Sequence, residues 1–526
     1  MATTTRPART ARTATEPRPH APHGAAALAG LLAGALTVGV AELLAAGLAA
    51  TRLERGSASP VIAVGDAVVD RTPSWLKDIA VRTLGEHDKP VLLASVGVVL
   101  AGLAVGAGLL AGRRMRAGQA VVVLLGLVAT VAVLTRPSAS LVDVVPTVVG
   151  TALGLVALDR LLGRPRSAEP GGWSRRTFLR GVGAVGATAA TAGAGSRVVA
   201  RGASGVAESR AAVRLPEPVE RVSVPAGAQL DVEGITPFLT ASRDFYRVDT
   251  ALSLPQIPTE DWSLRVHGLV GRELTLGYDE LLRRPLVERA ITLTCVSNEV
   301  GGRLAGNAVW LGYPVADLLR DLDVDPAADM VLSTSRDGMT ISTPLENLTR
   351  DRDALLAVAM NGDPLPVEHG FPVRMVVPGL YGYISATKWV TDLNVTRFDR
   401  DEAYWTPRGY APRAPVKISS RIDVPRSFAK LRAGRNVVAG VAWAQTRGVR
   451  AVQVRVDGGR WQDAELAEAP GPDTWVQWIH PWDASAGSHT IECRVIDGTG
   501  SVQEQRRTSI RPDGTTGLDS KFVTVL

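Results

Sequence analysis

Four runs of apolar residues crowd into the first third of the chain, and they restrict its fold more than any other feature. They cover Ala25 to Ala50 (interrupted by Glu42), Val91 to Gly112, Ala117 to Thr135 and Leu141 to Leu158. Each is close to the ~20 residues that cross a bilayer as a helix. A surface helix of a soluble domain carries a polar face, and these runs carry almost none. The reading is an N-terminal α-helical transmembrane bundle with four helices over residues 23–162. Basic residues set its orientation: Arg6, Arg9, Arg12 and Arg18 precede the first run, Arg113, Arg114 and Arg116 separate the second from the third, and Arg160, Arg164 and Arg166 follow the fourth. Four crossings put all these clusters on one side, which the positive-inside rule makes cytoplasmic, with residues 1–22 as a basic tail. The loop 51–89, of mixed charge and containing Pro60 and Pro73, is then external. The net charge of +6 and the pI near 9.5 follow from these clusters, so they point to a membrane and no nucleic acid is expected.

Behind the fourth run stands Ser174-Arg175-Arg176-Thr177-Phe178-Leu179-Arg180, followed by the Ala/Gly-rich stretch Gly181 to Gly195. This pattern resembles a twin-arginine export signal. A plain basic loop before a helix needs neither the paired arginines nor the Phe-Leu after them, and it usually brings Leu or Ile into the helix. The resemblance implies the twin-arginine export machinery as a partner and export of a folded chain. The usual reason to fold first is a cofactor inserted in the cytoplasm. Residues 163–200 are read as this signal with a candidate fifth helix, retention and cleavage both remaining open. The later part of the chain is expected on the extracytoplasmic side of the cell membrane. The seven histidines are His20, His23, His87, His267, His369, His480 and His489, and none falls in a predicted span, so no haem is expected there.

Residues 201–235 are polar and contain Gly, Ala and Pro, and they read as a linker. Over 236–405, short β-branched segments (Trp262 to Val270, Ala290 to Cys295, Arg374 to Val377, Trp389 to Val395) alternate with helical stretches at Tyr278 to Arg284 and Pro314 to Leu322. That is an α+β pattern with function in its loops. Over 412–526 the texture changes to period-two strands at Val437 to Trp443, Val449 to Val456, Thr474 to Trp478 and His489 to Ile496. Turns at Asp457-Gly458-Gly459 and Asp497-Gly498-Thr499-Gly500 separate them, which predicts an antiparallel β-sandwich. Only two cysteines are present, so no disulfide framework carries the fold, although a single Cys295–Cys493 bridge stays open. Cys493 sits within a strand, where a buried, inert thiol is the default.

Cys295 lies in Ile291-Thr292-Leu293-Thr294-Cys295-Val296-Ser297-Asn298-Glu299-Val300-Gly301-Gly302, at the end of a β-branched strand and the start of a Gly-containing loop. A thiolate there is a soft ligand suited to a redox metal. Taken alone, such a cysteine is more often structural. A zinc site is disfavoured, because no second Cys or His stands at ligand spacing.

The segment around Cys295 resembles the molybdenum-ligating cysteine motif of the sulfite oxidase family. Further matches follow in order: Leu355-Leu356-Ala357-Val358-Ala359-Met360-Asn361-Gly362, Leu365-Pro366, His369-Gly370-Phe371-Pro372-Val373-Arg374, Val377-Pro378-Gly379 and Lys388-Trp389. The resemblance covers about 240–526. It implies a sulfite-oxidase-type molybdopterin domain over 236–405, an immunoglobulin-like dimerisation domain over 412–526, a molybdenum-molybdopterin cofactor and Cys295 as catalytic residue and metal ligand. By the same resemblance His369 and Arg374 would bind the phosphate of the pterin tail, with Arg374 supplying a bidentate fork. Lys388, with Ser385 and the backbone beside it, would form a second phosphate or pterin contact. Asn298 within the cysteine motif, the segment Tyr246, Arg247, Asp249 and Thr250, and Asp337 before Gly338 complete the expected cofactor-binding set. His267, at a strand end, reads as structural.

The chain also departs from the family. Arginines that follow the family's cysteine motif are replaced by Glu299 and Val300, and the family's tyrosine two residues before Met-Asn-Gly is Val358. An anion-attracting pocket has lost a cation and gained a carboxylate, so a neutral molecule such as a sulfoxide, or another metabolite, fits at least as well as sulfite. The expectation is a membrane-anchored oxidoreductase that transfers an oxygen atom in a two-electron step. It would work with a small-molecule substrate and an external electron carrier, and a homodimer is a further expectation. A true sulfite oxidase is one alternative, and a cofactor-free, membrane-tethered binding protein is another.

Overall fold

The computed structural model describes residues 22–51, 53, 58–73, 76, 83, 88–136, 139–163, 175–203, 205–349 and 353–526. Arg6, Arg9, Arg12, Arg18, Arg164, Arg166, Ser174, His20 and His87 lie outside them. The chain forms two compact units, Met1–Ala203 and Ser204–Leu526.

The first unit contains α1 (His23–Ala50), α2 (Pro60–Arg71), α3 (Asp88–Arg113), α4 (Met115–Leu134), α5 (Val145–Leu162) and α6 (Arg175–Ala203). Four stretches, His23–Ala50, Lys89–Arg113, Met115–Leu134 and Leu141–Leu162, are long and apolar enough to cross a membrane, and they coincide with the four apolar runs. α1 is the central element. A methyl group on Gly30 would collide with the backbone of α3 at Ala104 and Gly108, so these helices approach as closely as small residues permit. Glu42, the charge that interrupts the first run, accepts a hydrogen bond of 2.8 Å from Ser59 Oγ and one of 3.4 Å from the Val61 amide. It thereby meets the exposed amides at the start of α2. α2 itself lies in the segment read as an external loop.

The second unit opens with α7 (Val206–Ala212). Residues 205–235, expected as a linker, are instead stitched to the rest of the unit. Arg210 donates to the carbonyls of Leu365 and Pro364 at 2.8 and 2.6 Å, the Val219 amide donates to Leu286 at 2.8 Å, and the Leu230 amide donates to the Gln477 side chain at 2.6 Å. A few apolar residues, Val206 and Ala228 among them, fill gaps in the core, a fit that composition does not foresee.

Two sheets carry the next part. One has the order β2 (Leu274–Gly277), β1 (Ser263–Gly268), β10 (Val390–Thr396), β5 (Met330–Ser335), β6 (Thr340–Pro344). The other has the order β3 (Val287–Thr294), β4 (Ala305–Pro314), β7 (Leu355–Met360), β8 (Asp363–Pro364), with β9 (Arg374–Val376) also pairing with β7. Helices α8 (Tyr278–Leu282) and α9 (Val315–Arg320) bury Leu281, Leu318 and Leu319 against this core. β7 is buried at every position, as a strand enclosed on both faces must be.

The C-terminal part is β-rich. One sheet runs β11 (Ser419–Val424), β13 (Gly434–Trp443), β17 (Val476–Ala484), β16 (Glu465–Leu466). The other runs β12 (Lys430–Leu431), β19 (Asp519–Val525), β18 (Gly487–Asp497), β14 (Val449–Val456), β15 (Gln462–Asp463). Both contribute to one core that includes Ile422, Val438, Trp478, Val454, Ile491 and Val523. Cys493 is buried in that core, and both cysteines are free thiols, so no bridge joins them.

Candidate active site

β3 and β4 pair antiparallel as far as Thr294 and Ala305, and the loop between them carries Cys295. The Cys295 amide donates to the Leu304 carbonyl at 2.9 Å, which closes the loop at its neck. The Asn298 side chain accepts from the Leu304 amide at 2.8 Å and therefore holds the loop's shape. From the C-terminal part, buried Arg421 donates to the Gly302 carbonyl at 2.8 Å, and Thr515 Oγ1 donates to the Asn298 carbonyl at 3.0 Å. The sulfur accepts from the Ser297 amide at a long 3.4 Å. Burial pushes the Cys295 thiol up, while the Ser297 hydrogen bonds and the charge of Lys388 pull the other way. Such a sulfur stays protonated until a soft cation takes the proton's place.

A second segment passes beside the loop. Asn361 and Gly362, both in the left-handed region (φ +53° and +86°), turn the β7–β8 hairpin. The Asn361 amide accepts from the Val309 amide at 3.1 Å and donates to the Thr240 carbonyl at 2.9 Å. It thus fixes the approach to Phe245 and Tyr246. The Phe245 ring stacks on Tyr246 and meets Trp310 and His369 edge-on. A methyl group on Gly382 would stand 3.9 Å from both the Tyr246 hydroxyl and the Thr294 carbonyl, which brings three segments to one place. Burial, reinforced by the charge of Cys295, pushes the Tyr246 hydroxyl well above its ordinary range, so it remains a donor.

Cations supply the third wall. Arg374 is 4% exposed, donates to the His369 carbonyl at 3.0 Å and lies 5.1 Å over the Trp310 ring. No carboxylate pairs with it among the described residues, and burial pulls it down to about 10. Lys388 donates to Asp249 and to the Glu368 carbonyl, both at 3.0 Å, and burial pulls it down to about 8. Asp249 also accepts from Arg247 Nε at 2.9 Å. Lys388 and Arg247 thus share the carboxylate of Asp249. Gly370 allows the arrangement: its φ is +110°, and a methyl group there would lie 3.0 Å from Arg374 Cβ and 3.1 Å from Lys388 Cβ. Next to Lys388, Trp389 holds a φ of +48°, an uncommon conformation for a bulky residue. It is kept there by its indole bond to the Val367 carbonyl at 2.9 Å and by the Arg336 amide, which donates to its carbonyl at 2.9 Å.

His369 is buried and donates from Nε2 to the Ser242 carbonyl at 3.0 Å. Burial pulls it down to about 4, and the charges of Arg374 and Lys388 act in the same direction. The unfolded chain binds this proton near pH 6.5 and the folded chain only near 4, so the stabilisation is complete above 6.5 and is lost as pH falls towards 4. The loss amounts to on the order of 3 kcal/mol. Urea titrations of the cofactor-free chain should show a smaller drop in midpoint between pH 7 and 4 for His369→Gln than for the parent; equal drops would contradict this account.

The structure thus brings together Cys295, Tyr246, Arg247, Asp249, His369, Arg374 and Lys388. Asn298 and Ser385 sit nearby but direct their side chains into their own loops, Ser385 Oγ donating to the Leu380 and Tyr381 carbonyls at 3.2 and 3.0 Å. Thr250 is half-buried at the end of its segment. Asp337 is exposed in the β5–β6 turn, where it accepts from the Met339 amide at 3.3 Å, and it approaches the site only through its neighbour Arg336. Glu299, expected as a carboxylate in the pocket, is exposed.

Two features were not foreseen. Tyr381 is buried, and burial, reinforced by the charge of Asp513, pushes its hydroxyl up to about 12. Beyond it lies a cavity of about 480 Å³ lined by Lys417, Arg506, Arg507, Arg511 and Asp513 together with Thr508, Ser509 and Pro512. A methyl group on Gly514 would lie 2.6 Å from the Tyr381 hydroxyl, and one on Gly517 would meet both the Arg507 stem and Val300. The sequence signals were slight: an aromatic residue between Gly379 and Gly382, and a pair of arginines over a hundred residues away from the fold's cysteine loop. No group of three or more His, Cys, Asp or Glu able to hold a metal occurs among the described residues, so a metal at Cys295 would draw its other ligands from a non-protein group.

Residues 251–405 match the family described as oxidoreductase molybdopterin binding domain. Mouse mitochondrial sulfite oxidase is 30% identical over 311 residues, which are 48% of this chain and 55% of that protein. The chain thus spans little more than half the length of that relative. The Bacillus subtilis protein named uncharacterized oxidoreductase YuiH is 34% identical over 152 residues, 29% of this chain and 73% of that one. Among solved structures, the sulfane dehydrogenase SoxCD from Paracoccus pantotrophus aligns over 56% of this chain and 82% of that chain, with 23% identity and a TM-score of 0.49.

Proposed function

The chain belongs to the sulfite oxidase-like molybdopterin oxidoreductases, and from that premise we propose a membrane-anchored enzyme whose extracytoplasmic site transfers an oxygen atom to or from a small anion. The family's cofactor is a molybdenum-pterin, and the residues present fit it. The observation that carries this reading is Arg374, a buried guanidinium with no carboxylate partner among the described residues. A buried charge is tolerated only when something of opposite sign completes it, and the phosphate of a pterin tail would do so. A buried hydroxyl without a hydrogen-bond partner, Thr294 Oγ1, sits next to the candidate ligand Cys295.

When bound, the group would supply the two-electron chemistry. The chain's own residues have distinct tasks. Cys295 would give the metal its one protein sulfur. Arg374 and Lys388 would hold the anionic tail, with Asp249 aiming Lys388. His369, neutral at pH 7, would orient the turn through its bond to Ser242. The Tyr246 and Tyr381 hydroxyls, both kept protonated by burial, would donate hydrogen bonds at the reacting side. An external carrier would exchange the electrons. The four apolar helices support a multi-pass anchor, and the basic clusters support an outward-facing second unit. The two C-terminal sheets around one core support the immunoglobulin-like reading and, with it, a homodimer.

The anionic class is proposed where Glu299 and Val300 left the substrate open. Glu299 is exposed, and the cavity beyond Tyr381 is lined by Arg506, Arg507 and Arg511 together with Lys417, which pairs with Asp513 at 2.8 Å. A cavity so lined attracts anions and raises their local concentration. Purified full-length protein should contain molybdenum and pterin, and should turn over sulfite or a similar small oxyanion with an artificial electron carrier. Protein free of both, made in a cofactor-competent host, would count against the enzyme reading. In Arg507→Ala, KM for the anion should rise about tenfold while KM for a neutral sulfoxide stays put. A sulfoxide turned over in preference to every anion, by parent and variant alike, would return the substrate to the neutral class.

A further inference from the structure

α6, which begins with the paired arginines, is far less apolar than its neighbours. Its uncharged stretch, 181–196, lies between Arg180 and Arg197 and is rich in Ala and Gly. As a helix this stretch covers about 24 Å, short of the ~30 Å hydrocarbon core unless both arginines extend towards the interfaces. Alone it would gain little from lipid. It lies along α1 instead. A methyl group on Gly39 of α1 would stand 3.0 Å from the Ala189 carbonyl oxygen and 3.6 Å from Ala192 Cβ. One on Gly186 would stand 3.6 Å from Leu32, and one on Gly195 would stand 3.3 Å from Leu43. Val182, Val185, Ala189 and Ala192 recur at steps of three and four residues and pack on the bundle, so one face of α6 is docked over about 15 Å. Gly183, off that face, has nothing within 4 Å of a methyl position. At the start of the helix Phe178 is only 7% exposed and packs with Ala29 and Leu161.

We propose that α6 is not removed after export but remains as the fifth helix of the bundle, docked on α1, so that the oxidoreductase part stays covalently held to the membrane. The proposal rests on reading the four apolar helices as membrane spans. Four crossings return the chain to the cytoplasmic side, and α6 then carries residue 204 and everything after it outwards. A signal peptidase works at small-residue sites such as Ala192-Gly193-Ala194. Ala192 is 5% exposed, helical and packed on α1, so cleavage there would require the docked segment to unwind. The same docking covers Phe178, a residue of the export motif, which places docking after the signal has been used. Close backbone contact at Gly39 supplies the packing that this helix cannot obtain from lipid.

The test uses the full chain with different epitope tags at its two ends. Both tags should appear on one species that stays in the membrane after alkaline extraction. In this background, Leu32→Cys with Gly186→Cys should be joined by a short bifunctional thiol reagent, whereas Leu32→Cys with Gly183→Cys should not. A released fragment carrying only the C-terminal tag, with the N-terminal tag left in the membrane, would overturn the proposal and leave the span reading intact. Equal cross-linking in the two pairs would overturn it as well. A chain absent from the membrane fraction would overturn the span reading and the proposal together.

Discussion

Cys295→Ser should lower turnover by about a thousandfold or more, a rise in the barrier on the order of 4 kcal/mol, while leaving the chain folded and in the membrane. The selectivity of this loss follows from how little the fold asks of the sulfur. Its hydrogen bonds come from the neighbouring Ser297, whereas the loop is held by backbone bonds at Leu304, by Asn298, and by Arg421 and Thr515 from the C-terminal part. None of these needs a thiol. Serine keeps the size but replaces a soft, ionisable ligand with a hard hydroxyl that stays protonated. Steady-state turnover, molybdenum content and thermal unfolding, measured on one preparation, separate the two effects. A serine variant as active as the parent would remove Cys295 from the role of ligand.

Arg374→Met is the second large effect, and its sign should differ between the cofactor-free and loaded chains. In the cofactor-free chain a guanidinium is held almost out of water, with no carboxylate to neutralise it among the described residues. Methionine keeps much of the packing on Trp310 and removes the uncompensated charge, so the cofactor-free variant should unfold at the same temperature as the parent or higher. The loaded chain should lose a charge-assisted fork to phosphate, at least about 2 kcal/mol or roughly thirtyfold in retention. Arg374→Lys should recover only part of this, because a point charge does not reproduce the fork. Pterin fluorescence and molybdenum per chain after gel filtration, beside the melting temperatures of both forms, give the comparison. Equal retention in parent and methionine variant would show that the anion is held elsewhere.

How far each part of the chain was legible depended on the range of the forces that shape it. The apolar runs at 25–50, 91–112, 117–135 and 141–158 became helices almost residue for residue, because a helix satisfies its own backbone and needs no distant partner to form. The strand before Cys295 was equally local, as were the Asp-Gly turns of the C-terminal part. The segment 205–235 was not, since its polar composition hides Arg210 bonding to Leu365 and the Leu230 amide bonding to Gln477, contacts made across more than 150 residues. Asn361 illustrates an intermediate case. Its place in the motif was plain, but its task of anchoring Thr240 becomes visible only once β4 and β7 lie side by side.

The charge of the pocket shows the same division. Read along the chain, Glu299 and Val300 stand where family arginines would be, and the pocket looks depleted of cations. In the fold Glu299 is exposed, and a methyl group on Gly517 would meet both the Arg507 stem and Val300. By itself the sequence determined the four apolar helices, the cysteine at the end of its strand and the order of the family motifs, because each follows from local periodicity or from side-chain chemistry at one position. Only the tertiary structure decided which residues line the cavity beyond Tyr381, and that α6 is packed along α1. Electrostatics and close packing act through space, and the residues they join are far apart in the chain.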